Sequence, residues 1–146
     1  MEPRSRYAPY FGGEIIITDR LWHVYVRDVA TLVCRAMAVV DCDANVVLTD
    51  DRTIQKLNAR DRGKNKPTNV LTYEQPPEIL LGFGTVLREA QLAGKSVGAH
   101  LSHLLIHGAL HLEGYDHDHA GAAKQMEAEE TWLLARLHIA NPWKKR

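Results

Sequence analysis

At 146 residues, 45% of them hydrophobic and 25% charged, the chain is long enough for one domain with a real core and unlike a disordered or fibrous protein. Eighteen Lys and Arg offset eighteen Asp and Glu, which argues against coating nucleic acid by net charge but leaves a local basic patch open. No apolar run is long enough to cross a bilayer, MEPRSRYAPYFGGE lacks the apolar centre of a secretory signal, and Cys34 and Cys42 make no disulfide framework, so a reducing cytoplasm is the expected setting.

The first expected element is a strand at Ile15–Ile17, β-branched and flanked by Gly12, Gly13 and Asp19. Trp22, Val26, Val29, Val33 and Met37 then recur at helical spacing and predict one amphipathic helix, with Cys34 a small buried residue within it. Residues 46–48 read as a second strand. Thr49, Asp50 or Asp51 can cap the short helix that follows, which carries Ile54 and Leu57. ARDRGKNKPT is expected as a polar loop leading to a third strand at 70–73, and Pro76 and Pro77 break the chain. A short helix over 87–93 ends at Gly94. The longest helix, 97–113, is stopped by Gly114, and a last one over about 120–138 buries Met126, Leu133, Leu134 and Leu137. The predicted architecture is α/β (α+β-like): a single domain over 1–146, with a small mixed sheet of three or four strands packed by about five helices.

On the long helix, HGALHLEGYDH concentrates the chemistry. His107 and His111 are about 40° apart on the helix and one turn apart along it, so both rings can reach one ion. Gly114 lets the chain reverse, and His117 arrives three residues later. Three imidazoles with one open position make a catalytic rather than a structural zinc arrangement, since no cysteine is nearby to close the fourth position. Composition alone would produce this spacing about twice in a thousand such chains. His103 could pair with His107 instead, but the glycine turn would then no longer deliver a third ring; it is expected beside the site, and His100, ~16 Å along the axis from His111, on the surface. Asp116 is expected to orient a ligand ring. His119 is expected to face away, and His23 and His138 have no local partners.

The spacing H-x-x-x-H-x-x-G-x-x-H also fits a metalloprotease pattern in which Glu follows the first His as general base. Here that position is Gly108, and Glu113 projects about 240° away from His107, so peptide hydrolysis is not expected. The densest basic segment, Arg60 to Lys66, precedes a strand. Cations beside an open metal site suit a phosphodiester, and the planar fork of Arg62 meets its oxygens in pairs. Lys64 and Lys66 are expected to hold flanking phosphates, and Tyr73 and Tyr115 are candidates for stacking on a base.

HGALHLEGYDH, with RGKNKPTNVLTY, LTDDRTIQKLN and Met126-Glu127-x-x-Glu130, resembles the YbeY family of bacterial endoribonucleases, from roughly Glu14 to Pro142. The resemblance implies a metal-dependent hydrolase specific for single-stranded RNA, acting at the 3′ end of small-subunit ribosomal RNA and in ribosome quality control, with ribosomal particles as partners. Its zinc-type ligands match His107, His111 and His117, and its functional arginine matches Arg62. The expected chemistry is attack on a phosphodiester by water activated on one divalent ion, zinc being the ion that three imidazoles favour. One departure is evident. The family's strand opening Leu-Gly-Asp-Ile is replaced by LLGFGTVLREAQ, about five residues shorter after Gly82, which leaves that strand and the substrate-groove wall open to question. Two other readings stand beside this one: a ribosome-associated RNA-binding protein with a structural metal, and a hydrolase of a non-RNA substrate.

Overall fold

Side chains of period two build a sheet with two unlike faces. The computed structural model describes residues 11–115 and 119–139. Among them, β1 (Ile15–Ile17), β2 (Asn45–Thr49), β3 (Val70–Glu74) and β4 (Pro77–Gly82) form one sheet in the order β1-β2-β4-β3. β1, β2 and β4 run parallel, and β3 is antiparallel to β4 with Val70 opposite Leu81 and Glu74 opposite Pro77. Val46 and Leu48 of β2, Ile79 and Leu81 of β4 and Val70 of β3 point into the main core. The alternate residues Val47, Leu80, Leu71 and Tyr73 point the other way, into a smaller cluster with Ile54 and Leu57.

Among the described residues six helices cover these faces: α1 (Leu21–Tyr25), α2 (Val29–Val39), α3 (Asp51–Arg62), α4 (Phe83–Leu92), α5 (Val97–Leu112) and α6 (Ala120–Arg136). α5 lies on β3 and β4 and touches α2, α4 and α6, so it is the axis of the main core. α3 covers the opposite face through Ile54. The mixed sheet, the α/β class and the long histidine helix are as expected from the sequence.

Three local expectations change. The helix expected from Trp22 to Met37 is two, because Val26 is extended and Asp28 adopts a left-handed conformation (φ 49°). That break lets Trp22 and Val26 reach the core together with Val29 and Val33, and Trp22 Nε1 donates to Thr49 O at 3.0 Å. The segment from Ala59 to Arg62, expected as loop, is the last turn of α3; nothing in Ala-Arg-Asp-Arg breaks a helix until Gly63 turns left-handed at φ 68°. The strand placed in question is present: in Pro77–Gly82, Glu78–Gly82 pair with β2 and Pro77–Leu81 with β3, and α4 follows directly. The upstream residues PEILLG fill the central position, so the shorter text costs no strand.

The junction from β4 to α4 has its own device. Gly82, the residue before α4, has no side chain to cap the helix. Asp51, the first residue of α3, does so from across the fold: its Oδ1 accepts Thr85 N–H at 2.9 Å and its Oδ2 accepts from Arg88 at 3.0 Å. Gly82 and Gly84 make room, since a Cβ on either would fall 2.7 or 2.6 Å from the Asp51 carboxylate.

Candidate functional site

α5 is begun by Ser96, whose hydroxyl accepts Ala99 N–H at 3.1 Å, and it is almost wholly apolar on the faces that meet the core. At its end Tyr115 N–H donates to Leu110 O and Gly114 N–H to His111 O, each at 3.1 Å, with Gly114 at φ 103°. This is the glycine-dependent Schellman stop anticipated from sequence. His107 and His111 therefore lie on the last two turns of a rigid helix, directly before a reversal.

Both rings line a cleft of about 370 Å³ whose other walls are Arg62 and Lys64 from the end of α3, Val70, Leu71 and Thr72 of β3, and Gly108. Gly108 is where α5 comes closest to the sheet: a Cβ would lie 3.2 Å from Ile79 Cγ2 and 3.3 Å from Thr72 Cγ2. A glutamate following His107 would be driven into β3 and β4, so the protease base is excluded by packing as well as by identity. Glu113 lies away from the cleft, beside Tyr115 and His119.

Arg62 is held at the cleft by two neighbours, one of them braced in turn. Its guanidinium donates to Thr72 O at 2.6 Å and sits 5.6 Å over the Tyr73 ring. Tyr73 in turn donates its hydroxyl to Asp61 Oδ2 at 2.6 Å, and Arg60 donates to both Asp61 oxygens at 2.7 and 2.8 Å. The hydrogen bonds from Arg60 and Tyr73 hold the Asp61 carboxyl at about 2. Tyr73 thus supports Arg62 from beneath and packs with the α3 cluster; it does not line the cleft. Lys64 lines the cleft and Lys66 does not; the backbone oxygen of Lys66 accepts from Asn58 Nδ2 at 2.9 Å. Tyr115 packs half-buried against the main core.

His103 is buried, and its Nε2 lies 3.1 Å from Glu130 Oε2. His107 Nδ1 lies 2.5 Å from Glu130 Oε1. Glu130, on α6, is fully buried. Burial alone would raise its pKa, but the hydrogen bonds from His103 and His107 outweigh that and hold the carboxyl at about 2. His100 is a correction: it is 8% exposed rather than on the surface, with Nε2 2.8 Å from Glu89 Oε1 and Nδ1 buried without a hydrogen-bond partner among the described residues. His119 faces its own helix, its Nδ1 accepting Ala122 N–H at 3.1 Å. The predicted third ligand His117 and its neighbour Asp116 lie outside the described residues, and among the described residues no three His, Cys, Asp or Glu side chains converge on one point.

Sequence reasoning did not assign a role to Glu130 or to Thr72. The signal for Glu130 was present, because it interrupts the buried stripe Met126, Leu133, Leu134 with a carboxylate. Thr72 acts through a backbone carbonyl, which no side-chain pattern reports.

Paired imidazoles facing a guanidinium and an ammonium across one cleft can take a cation on one wall and an anionic ester on the other. Residues 13–138 match the family described as endoribonuclease YbeY. The chain is 44% identical to endoribonuclease YbeY of Gluconobacter oxydans, covering 99% of this chain and 94% of that protein. It is 40% identical to endoribonuclease YbeY of Chelativorans, covering 90% and 88%. The solution structure of TM1509 from Thermotoga maritima shares the fold, with a TM-score of 0.57 at 22% identity over 90% of this chain and 99% of that one. The chain belongs to the YbeY family of endoribonucleases.

Proposed function

We propose that this protein is a metal-dependent endoribonuclease that cleaves single-stranded ribosomal RNA, at the 3′ end of the small-subunit RNA and in ribosome quality control, on ribosomal particles in the cytoplasm. The observation that carries the reading is the shared cleft, in which His107 and His111 face Arg62 and Lys64. The residues suit a divalent ion, zinc first: two imidazoles one helical turn apart on a rigid helix, with a glycine between them that lets the helix sit close against β3 and β4. His107 and His111, together with His117, would hold it. When bound, the ion would supply Lewis-acid activation of water and of the phosphodiester.

The chain's own groups do the rest. Arg62, braced against Thr72 and Tyr73, offers its outer N–H groups to the non-bridging oxygens and stabilises charge that grows on them. Lys64 holds an adjacent phosphate as a point charge. Gly108 offers no proton acceptor at the position where a protease carries its base.

Purified protein is assayed for bound metal by elemental analysis and for cleavage of a single-stranded ribosomal RNA fragment, with and without chelator. His111→Ala should lose both metal and cleavage. Arg62→Ala should keep the metal and slow cleavage by roughly 10²–10³, the scale of removing one preorganised transition-state donor. Undiminished cleavage by His111→Ala, in protein shown free of other nucleases, rules the mechanism out. Stoichiometric metal with no turnover on any RNA, plus co-sedimentation with ribosomal particles, would favour a binding protein with a structural metal instead.

A further inference from the structure

We propose that Glu130 is the positioning residue of this site, fixing His107 in the tautomer whose Nε2 can donate to a metal and reserving His103 from the ligand set. The inference rests on the metal-site reading above and adds to it a residue from a different helix. A neutral imidazole carries one N–H. At 2.5 Å from Glu130 Oε1, the Nδ1 of His107 is the nitrogen that carries it, and the ring's remaining lone pair is then on Nε2. A ring that leans on a carboxylate is also more electron-rich and turns less freely, both of which favour a bound cation.

The second oxygen of the same carboxylate settles an ambiguity in the histidine spacing. His103 and His107 are separated by four residues, as are His107 and His111, and their ring centroids are 6.4 Å apart. Spacing alone permits either pair. The Nε2 of His103 faces Glu130 Oε2 at 3.1 Å, so its outer nitrogen is committed to the carboxylate, and His111 is left as the partner of His107. Side-chain burial fits this role better than general packing. Glu130 is 1% exposed in an otherwise apolar stripe of α6, a position where an apolar side chain would be the cheaper occupant unless the charge is used.

The test compares wild type, Glu130→Gln and Glu130→Ala as full-length protein. Zinc affinity is measured by competition with a chelator, and the protonated nitrogen of His107 is read in the zinc-loaded protein from long-range proton–nitrogen NMR correlations. Wild type should carry the proton on Nδ1. Glu130→Gln keeps an oxygen acceptor, so it should retain that tautomer and stay within about tenfold of wild type in affinity. Glu130→Ala should bind zinc on the order of 10- to 100-fold more weakly. A purely structural role would alter stability without moving the tautomer or ordering the affinities this way. A proton on Nε2 of His107 in wild type, or equal zinc affinity in all three proteins, overturns the assignment even if Glu130→Ala folds poorly. Equal affinities leave the nuclease reading standing, whereas absence of zinc binding by wild type brings down both.

Discussion

Gly108 and His100 show how single positions on α5 are constrained by what lies over them. With Ile79 and Thr72 methyls only 3.2 and 3.3 Å from an added Cβ, Gly108 has no room for a branched or long side chain. Gly108→Leu should destabilise by about 1–3 kcal/mol through overpacking, read as a lower urea midpoint at unchanged slope. His100 makes a different kind of prediction. Burial pushes its pKa below the ordinary value near 6.5, opposed in part by Glu89 and assisted by His103 and Lys95. Its Nδ1 has no acceptor to receive a second proton. A folded pKa below the unfolded one means that the unfolded chain takes up the proton first as the medium is acidified. The contribution of His100 is therefore complete above pH 6.5 and is lost as pH falls toward the folded pKa. Replacing it with Gln should flatten the decline of the urea midpoint as pH falls below about 6.5; an unchanged profile would mean that another group governs that decline.

At the scale of elements, helix ends carry more of the design than helix middles. Asp50 caps α3 by accepting Thr53 N–H at 2.7 Å, and that bond lowers its own pKa. Asp51, the next residue, caps α4 instead. Asp51→Ala should cost about 1 kcal/mol, within the range of lost caps, and Asp51→Asn should recover a good part of it by keeping an acceptor oxygen, as thermal unfolding would report. If Asn were no better than Ala, the pairing with Arg88 rather than the cap would be what Asp51 supplies. This junction also explains why the short text after Gly82 is tolerated. The strand is supplied from upstream, and the cap is supplied from another helix.

For the whole molecule, zero formal charge means that on the proposed reading RNA recognition would be a local matter of Arg62, Lys64 and their neighbours. Lys64→Ala should reduce the slope of log binding constant against log salt by about 0.7, the value for one phosphate contact on a single strand, whereas Lys66→Ala should change it less. Much of this layout could be read from the text. β-Branched and apolar runs point to β1, β2 and β3, and the apolar spacing up to Gly114 points to the histidine helix and its stop. What escaped reading depended on partners distant in sequence: the break at Asp28 answers to the core around Trp22, the cap of α4 comes from 34 residues upstream, and the support of His107 comes from 23 residues downstream. The continuation of α3 through Arg62 is legible in principle, since only Gly63 breaks it, whereas charge density by itself points to a loop.

The two faces of the sheet are unequal: a broad core gathers α2, α4, α5 and α6 on one side, while α3 rests on Ile54, Leu71 and Leu80 with a few half-buried neighbours. Detaching α3 exposes little oil and leaves the imidazole helix seated, yet it withdraws the guanidinium anchored at the far end of that same rod. Amide hydrogens of α3 should therefore exchange with deuterated solvent well ahead of those in α5. The cleft would then lose the Arg62 wall by partial melting long before the protein lost its shape.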